Sequence, residues 1–333
     1  YTNYRRETIR VHPTEWRVKI MKELELFSKE ANVVIAPSFG KDYLRSLYKA
    51  NKKTELYIAR FLEYNASLQE KIIFDFDTSK IFVREYDLSI PFLDFVNSIT
   101  SFCFRSRPGR KFPMLVMYDY SRDAPIILGL IMLCSPVMYG AIYEYAKRNG
   151  VKPTDMQWVN NHVVDLGVCV GTGPMTRYLS GKLLALIASS REIIDQYNSK
   201  YGTDIKALFT TSLYGKSSMY NRLRGFKYLG LSRGLSAAHL SKDQIREIKE
   251  KYENTFKRKM PRLGETGATN IAYALSQLLR AKVELSFEVI KQERGIYLCE
   301  EFHTLKDNIE YWRTRWFEPR RARLTKESDR YGL

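Results

Sequence analysis

The stretch Val163–Gly181, VVDLGVCVGTGPMTRYLSG, decides the fold of this chain. It opens with a nearly uncharged apolar run, Val163 to Val170, which is typical of a strand buried on both faces. A glycine-containing turn follows, and apolar residues at helical spacing then predict one long amphipathic helix from Thr176 to Tyr197. Strand, turn and helix together predict a sheet layered with helices.

The glycine turn is a candidate anion site. Glycines between a strand and a helix let the backbone approach a ligand, which the first helical N–H groups and the helix dipole would face. The candidate cofactor-binding residues are Gly171, Thr172, Gly173, Arg177, Gly181 and Lys182. The turn matches neither the P-loop nor the GxGxxG pattern, so a tight turn without a ligand remains the alternative.

Further strands are predicted on both sides of this stretch. Met114 to Tyr118 and Ile126 to Cys134 indicate a hairpin, and Ile205 to Thr210 indicates another strand. Residues 125–143 carry no charge and are long enough to cross a membrane, but Gly and Pro interrupt them. We therefore expect core strands here and no membrane contact. Ser217 to Arg224 is predicted as a short helix.

Composition divides the chain into three regions. Residues 1–111 read as mainly helical with a short strand pair, residues 112–235 as the core, and residues 236–333 as mainly helical with a basic, aromatic tail. A capping-box pattern at Ser241 opens one of the C-terminal helices. The predicted fold class is α+β, a mixed sheet layered with helices and extended by helical additions at both ends.

The charge suggests a polyanionic partner. Against 54 Lys and Arg stand 37 Asp and Glu, a net charge of +17 over 333 residues, and 44% of residues are hydrophobic, which excludes a disordered chain. Arginine suits phosphates, and the tail aromatics Trp312, Trp316 and Phe317 suit unpaired bases. The candidate nucleic-acid-binding residues are Arg105, Arg107, Arg110, Lys111, Lys216, Arg222, Arg224, Lys227, Arg233, Arg320, Arg321 and Arg323.

Cysteine and acidic residues point to a cytoplasmic protein without a metal site. Four cysteines are widely spaced with no CxxC pair, which favours buried thiols in a reducing compartment. Asp75 and Asp77 could share a strand face as metal ligands, but a solvated hairpin turn with Thr78 and Ser79 is the preferred interpretation, so no metal site is predicted. The chain shows no signal peptide and begins at Tyr1 without an initiator Met, so an N-terminal segment could be missing.

A catalytic pair is a further candidate. Asp165 lies on the strand before the glycine turn and could act as a general base, with Tyr220 as the acid. A purely structural carboxylate is the alternative. Enzyme activity is left open by the sequence.

Two resemblances follow from these motifs. The order of strand, glycine turn, helix, strand and then Tyr220-Asn-Arg-Leu-Arg-Gly225-Phe226 resembles the Gcn5-related N-acetyltransferase superfamily. That resemblance implies an acetyltransferase-like core, with the turn around the pyrophosphate of acetyl-CoA and Tyr220 as the acid that protonates the leaving thiolate. The cofactor is otherwise unknown.

A closer resemblance covers about residues 112–235. It is carried by Gly173-Pro-Met-Thr-Arg-Tyr-Leu-Ser-Gly-Lys-Leu-Leu184, Lys200-Tyr-Gly202, Tyr214-Gly-Lys-Ser-Ser-Met-Tyr220 and Phe226-Lys-Tyr-Leu-Gly230-Leu-Ser-Arg-Gly234. These segments resemble the DruA family of the Druantia antiphage defence system of bacteria, which implies a role in defence.

Three hypotheses result. The first is a nucleic-acid-binding component of a bacterial antiphage system, with DNA favoured over RNA and other defence proteins as further partners. The second is an acyl- or group-transferase that uses a CoA-type cofactor to modify a nucleic acid or a protein. The third is an assembly subunit that docks acidic partner proteins.

Overall fold

The structure is a computed structural model. It describes residues 33–35, 52–73, 75–88, 90–100, 104, 109–119, 125–137, 140–152, 155–213, 215–232, 240–260, 268–291 and 293–331. The chain forms two compact units: Tyr1–Ala36 with Leu235–Gln292, and Pro37–Gly234 with Glu293–Leu333. The division into three sequence regions stays a prediction.

The strands in chain order are β1 (Val33–Ile35), β2 (Ile81–Glu85), β3 (Lys111–Tyr118), β4 (Ile126–Cys134), β5 (Val163–Gly171), β6 (Ala207–Ser212), β7 (Phe226–Leu231), β8 (Val289–Lys291) and β9 (Gly295–Cys299). The α-helices are α1 (Lys52–Ile72), α2 (Phe92–Ile99), α3 (Gly140–Arg148), α4 (Met156–His162), α5 (Ser180–Ala188), α6 (Arg191–Tyr201), α7 (Lys242–Phe256), α8 (Ala268–Arg280), α9 (Leu305–Trp312) and α10 (Glu318–Tyr331). Two 3₁₀ turns (Thr78–Lys80 and Pro174–Tyr178) and one π-helical turn (Arg313–Phe317) complete the described elements.

The larger unit is built on a seven-stranded sheet with the order β2-β3-β4-β5-β6-β9-β7. The β5–β6 pair is parallel, and every other neighbouring pair in this sheet is antiparallel. The predicted α+β class with a mixed sheet is confirmed. The β3–β4 hairpin is confirmed as well.

The sheet opens between its two parallel strands. β5 and β6 pair only from Val163 to Asp165, opposite Ala207 to Phe209. Beyond that point β5 stays paired with β4 as far as Gly171, while β6 stays paired with β9. A side chain bridges the two strands where they part, because Thr210 Oγ1 donates to the carbonyl of Leu166 at 3.0 Å.

The core lies on both faces of this sheet. Every residue of β4 is buried, as predicted for a core strand. One face packs on α5 and α6, and the other packs on α2 at one place and on α3 and α4 at another. No helix in the described part of the chain has both the length and the apolar composition needed to cross a membrane.

Helix α1 protects a strand edge that β5 leaves uncovered. β5 ends at Gly171, opposite Gly129, so Ile127 of β4 has no strand partner on that side. Asn65 replaces one: its Nδ2 donates to the Ile127 carbonyl at 2.9 Å, and its Oδ1 accepts the Ile127 N–H at 2.8 Å. Gln69, one helical turn later, donates to the same carbonyl at 2.8 Å. A buried strand edge is thereby hydrogen-bonded by an amide pair at i and i+4.

Two helix predictions are wrong. The segment from Thr176 to Tyr197 is not one helix, because a 3₁₀ turn precedes α5 and the chain breaks again before α6. At this second break the hydroxyl of Ser190 donates to the carbonyl of Ile187, an alternative to continuing the helix. The predicted helix from Ser217 to Arg224 is a series of turns, in which Arg222 has a left-handed backbone with φ 63.

The smaller unit pairs α7 with α8 and joins β1 to β8 in parallel. The capping box at Ser241 is confirmed: its hydroxyl accepts the N–H of Gln244, whose side chain accepts the N–H of Ser241. Buried Tyr252 and Leu275 belong to its own core. Residues 1–51, which belong to the region predicted as mainly helical, lie outside the described residues except for Val33–Ile35, which form the strand β1.

Candidate functional site

The glycine turn is filled by a side chain of helix α1. Gln69 is fully buried, its Oε1 accepts the N–H of Met175 at 2.9 Å, and its Nε2 lies 3.1 Å from Thr172 Oγ1. The N–H of Thr172 donates to Leu128 at 3.0 Å. Gly173 has φ 57, and a Cβ there would lie 2.7 Å from Gln69 Oε1, so only glycine fits. Two turn amides thus donate to acceptors within the chain.

The glycines next to helix α5 allow close packing. A Cβ on Gly171 would lie 2.5 Å from Ser180 Oγ, and one on Gly181 would lie 2.9 Å from the sulfur of Met219. Ser180 Oγ is itself buried with no hydrogen-bond partner in the structure. These contacts let β5, α5 and the loop of residues 215–225 lie against one another.

Lys182 anchors that loop. Its side chain is buried, and its Nζ donates to the carbonyls of Ser218 and Asn221, the latter at 2.9 Å. The ammonium also lies 4.2 Å from the centroid of the Trp316 ring. Burial, and to a lesser degree the nearby positive charge of Arg222, lowers the pKa of Lys182 to about 8. The polar contacts of Lys182 are therefore with the loop of residues 215–225.

Tyr220 lies where the sheet opens. Its hydroxyl is 3.4 Å from Thr210 Oγ1, and its ring packs 5.1 Å from that of Tyr297. Burial, and to a lesser degree the nearby thiol of Cys169, raises the pKa of Tyr220 well above its usual value. A buried phenol of this kind stays protonated at neutral pH.

Asp165 lies on the opposite face of the sheet from Tyr220. Asp165 pairs with Phe209, and Phe209 packs on the α3 side against Tyr145. The next residue of β6, Thr210, contacts Tyr220, and successive side chains of a strand point to opposite faces. Asp165 is near enough to contribute to the raised pKa of Tyr220. The structure places the two predicted catalytic residues close together but facing different layers.

The tail aromatics belong mainly to the core. Trp312 and Phe317 are fully buried and stack on each other with ring centroids 4.9 Å apart. The indole N–H of Trp312 donates to the carbonyl of Leu179 at 3.1 Å. The base-stacking role predicted for these two rings is therefore wrong. Their burial brings the tail against the helix that follows the glycine turn.

Three segments of the chain meet near four arginines, which we together call the arginine surface. Its members are Arg177, Arg222, Arg315 and Arg320. Nε of Arg320 donates to the carbonyl of Arg177 at 3.0 Å, which joins the tail to the turn. The hydroxyl of Tyr311 donates to the carbonyl of Arg222 at 3.1 Å, which joins the tail to the loop of residues 215–225. The sequence predicted Arg222 and Arg320 for this role and Arg177 for cofactor binding.

The arginine surface differs from its neighbours in having no acidic partner. In the part of the chain that the structure describes, none of its four members forms an ion pair. Arg313 and Arg321, on the same tail, pair with Glu310 at 2.7 Å and Glu318 at 2.6 Å. Arg323 lies one turn beyond Arg320 and is exposed.

The other predicted basic residues lie elsewhere or are held by the protein. Arg110 donates to the carbonyl of Asn160 and lies 5.6 Å above the ring of Tyr197. Lys111 is exposed opposite Cys134, at the end of β4 away from the glycine turn.

Around the loop of residues 215–225, Lys216 lies 5.6 Å above the ring of Tyr228. Arg224 lies 4.9 Å above the ring of Tyr311, and Lys227 lies 3.8 Å from Glu300. Arg105, Arg107 and Arg233 are outside the described residues.

Of the possible metal ligands Asp75 and Asp77, the second accepts hydrogen bonds within a turn. The carboxylate of Asp77 accepts the N–H of Ser79 at 2.9 Å and its hydroxyl at 2.7 Å, and these bonds lower the pKa of Asp77. Across the described ranges, no three His, Cys, Asp or Glu side chains lie together as metal ligands would. Cys134, Cys169 and Cys299 form no disulfide.

The fold and the site define an α+β protein whose glycine turn is closed by its own helix and bordered by a cationic surface. The chain belongs to the family of Druantia protein DruA, whose family model matches residues 41–298. The family predicted from sequence is thereby confirmed, over a longer part of the chain than residues 112–235.

A curated relative agrees with this family. The chain is 25% identical over 264 residues to Druantia protein DruA of Escherichia coli (strain UMEA 4076-1). The match covers 69% of this chain and 62% of the relative, so the chain spans about three-fifths of that protein. No solved structure matches the chain.

Proposed function

We propose that this chain is a nucleic-acid-binding component of a Druantia antiphage defence system and that it contacts the phosphates of phage DNA through the arginine surface. Family membership supports the defence role. The net charge of +17 supports a polyanionic ligand. Other proteins of the same system are proposed as further partners.

The absence of acidic partners on the arginine surface, within the described residues, is the observation that carries this proposal. An arginine paired with a carboxylate has much of its field cancelled, whereas an unpaired one projects it into solvent. Guanidinium groups also match phosphate oxygens with two parallel hydrogen bonds. The two paired arginines of the tail, Arg313 and Arg321, are therefore weaker candidates than Arg315 and Arg320.

We propose an acetyltransferase-like core as the scaffold of this surface. The order of β5, the glycine turn, two helices, the parallel strand β6 and then Tyr220 supports that assignment. Gln69 takes the N–H of Met175 inside the turn, which favours a structural use of the turn over a pyrophosphate site. The phosphate groups of the ligand would lie outside, against Arg177 and its neighbours.

Binding of labelled DNA to paired variants tests the proposal. In R222Q/R320Q two charges of the arginine surface are removed, and we expect DNA affinity to fall about tenfold or more at low salt. K147Q/K152Q removes the same charge from exposed lysines near α3 and should bind as the wild type does. No binding by the wild type at low salt would refute the proposal.

A further inference from the structure

We infer that the nucleic acid is bound as a duplex, through its backbone and without reading its sequence. This inference rests on the proposed function and assigns the class of ligand that the arginine surface takes. The observation behind it is that, among the described residues, the aromatic rings bordering that surface are buried or already pack against other groups of the chain. These rings are Tyr178, Tyr311, Trp312, Trp316 and Phe317.

Two of the rings are covered by the chain's own cations. Trp316 has the ammonium of Lys182 at 4.2 Å from its centroid and the guanidinium of Arg315 at 5.6 Å. Tyr311 has the guanidinium of Arg224 at 4.9 Å. A nucleobase would have to displace a cation to stack on the face of either ring that the cation occupies.

The other three rings pack against the core, two of them fully buried and Tyr178 partly exposed. Trp312 and Phe317 have no exposed surface, and Tyr178 packs with its ring centroid 5.8 Å from that of Phe317. Among the described residues, the large hydrophobic side chains that are well exposed are Tyr64, Val137, Tyr143, Met156, Leu229 and Leu231. None of these six side chains is one of the five rings that border the arginine surface.

The consequence for the ligand follows from how single strands are held. Proteins that bind single strands combine a basic groove with aromatic rings on which bases stack, each stack contributing about 1–3 kcal/mol. Without those rings the surface offers phosphate contacts alone, and phosphate contacts carry no sequence information. A duplex supplies the denser line of phosphates and keeps its bases stacked on one another.

Duplex and single-stranded DNA of equal length and composition, measured at one salt concentration, distinguish the outcomes. We expect the duplex to bind at least about tenfold more tightly, because the single strand gains no stacking. Two duplexes of unrelated sequence should bind with the same affinity. R222Q/R320Q should weaken duplex binding, while K147Q/K152Q should not.

Each other result is also informative. Equal or tighter binding of the single strand overturns this inference while leaving the proposed function in place. A strong preference for one duplex sequence overturns it too. If neither form binds, both this inference and the proposed function fail.

Discussion

Gln69 Oε1 accepts the backbone N–H of Met175 at 2.9 Å, so a side chain of helix α1 lies where the glycine turn would otherwise face a ligand. The same amide donates to the Ile127 carbonyl, which links the turn to an uncovered edge of β4. Gly173 of the turn is thus explained by packing against α1. Through Gln69, the turn and strand β4 are therefore both hydrogen-bonded to helix α1.

Replacing Gln69 by alanine should destabilise the protein. The N–H of Met175 would be left buried without an acceptor, and a cavity would remain beside Gly173. Together these effects should lower the free energy of unfolding by about 2–4 kcal/mol. Urea unfolding followed by fluorescence measures the loss. Glu70→Ala, an exposed change on the same helix, is the control and should cost about 0.5 kcal/mol or less. Equal stability of the two variants would show that the hydrogen bonds of Gln69 to the turn and to β4 do not stabilise the fold.

Replacing Lys182 by alanine should loosen the loop of residues 215–225. The carbonyls of Ser218 and Asn221 would lose their shared donor, and the Trp316 ring would lose its cation. We expect faster hydrogen exchange across residues 217–225, with little change in β3 or β4. Lys306→Ala, which removes an exposed lysine of α9, should leave that exchange unchanged. Unaltered protection of the loop in Lys182→Ala would contradict the anchoring role.

Cys169 should be unreactive in the folded protein. Burial raises the pKa of its thiol from 9.0 to about 12, so the nucleophilic thiolate is scarce at neutral pH. Because the folded state holds this proton more tightly than the unfolded state, Cys169 makes stability fall as the pH rises from 9.0 toward 12. Alkylation at pH 8 followed by peptide mass spectrometry should leave Cys169 unmodified until denaturant is added. Rapid modification of the native protein would show that the thiol is accessible.

The strands were predictable from sequence because burial on both faces produces long apolar runs. Val163–Gly171 and Ile126–Cys134 show this directly. The contacts of Asn65 and Gln69 were not predictable, since polar residues at i and i+4 look like an ordinary solvated helix face. Only the point where β5 ends reveals that they face a strand edge.

The tail shows a second limit of the sequence pattern. Trp312 and Phe317 are five residues apart, a spacing that does not place two residues on one face of an α-helix. The π-helical turn at Arg313–Phe317 changes that geometry, and the two rings stack in the core. The grouping of the four arginines could likewise not be predicted from the sequence, because they come from three segments that meet only in the folded chain.

The salt dependence of DNA binding tests the central claim most directly. Each phosphate contact contributes a slope of about −0.9 to the plot of log affinity against log salt concentration. We predict that R222Q/R320Q makes this slope shallower by about 2 and that K147Q/K152Q leaves it at the wild-type value. If both double variants keep the wild-type slope, the arginine surface does not contact DNA phosphates and the account is wrong.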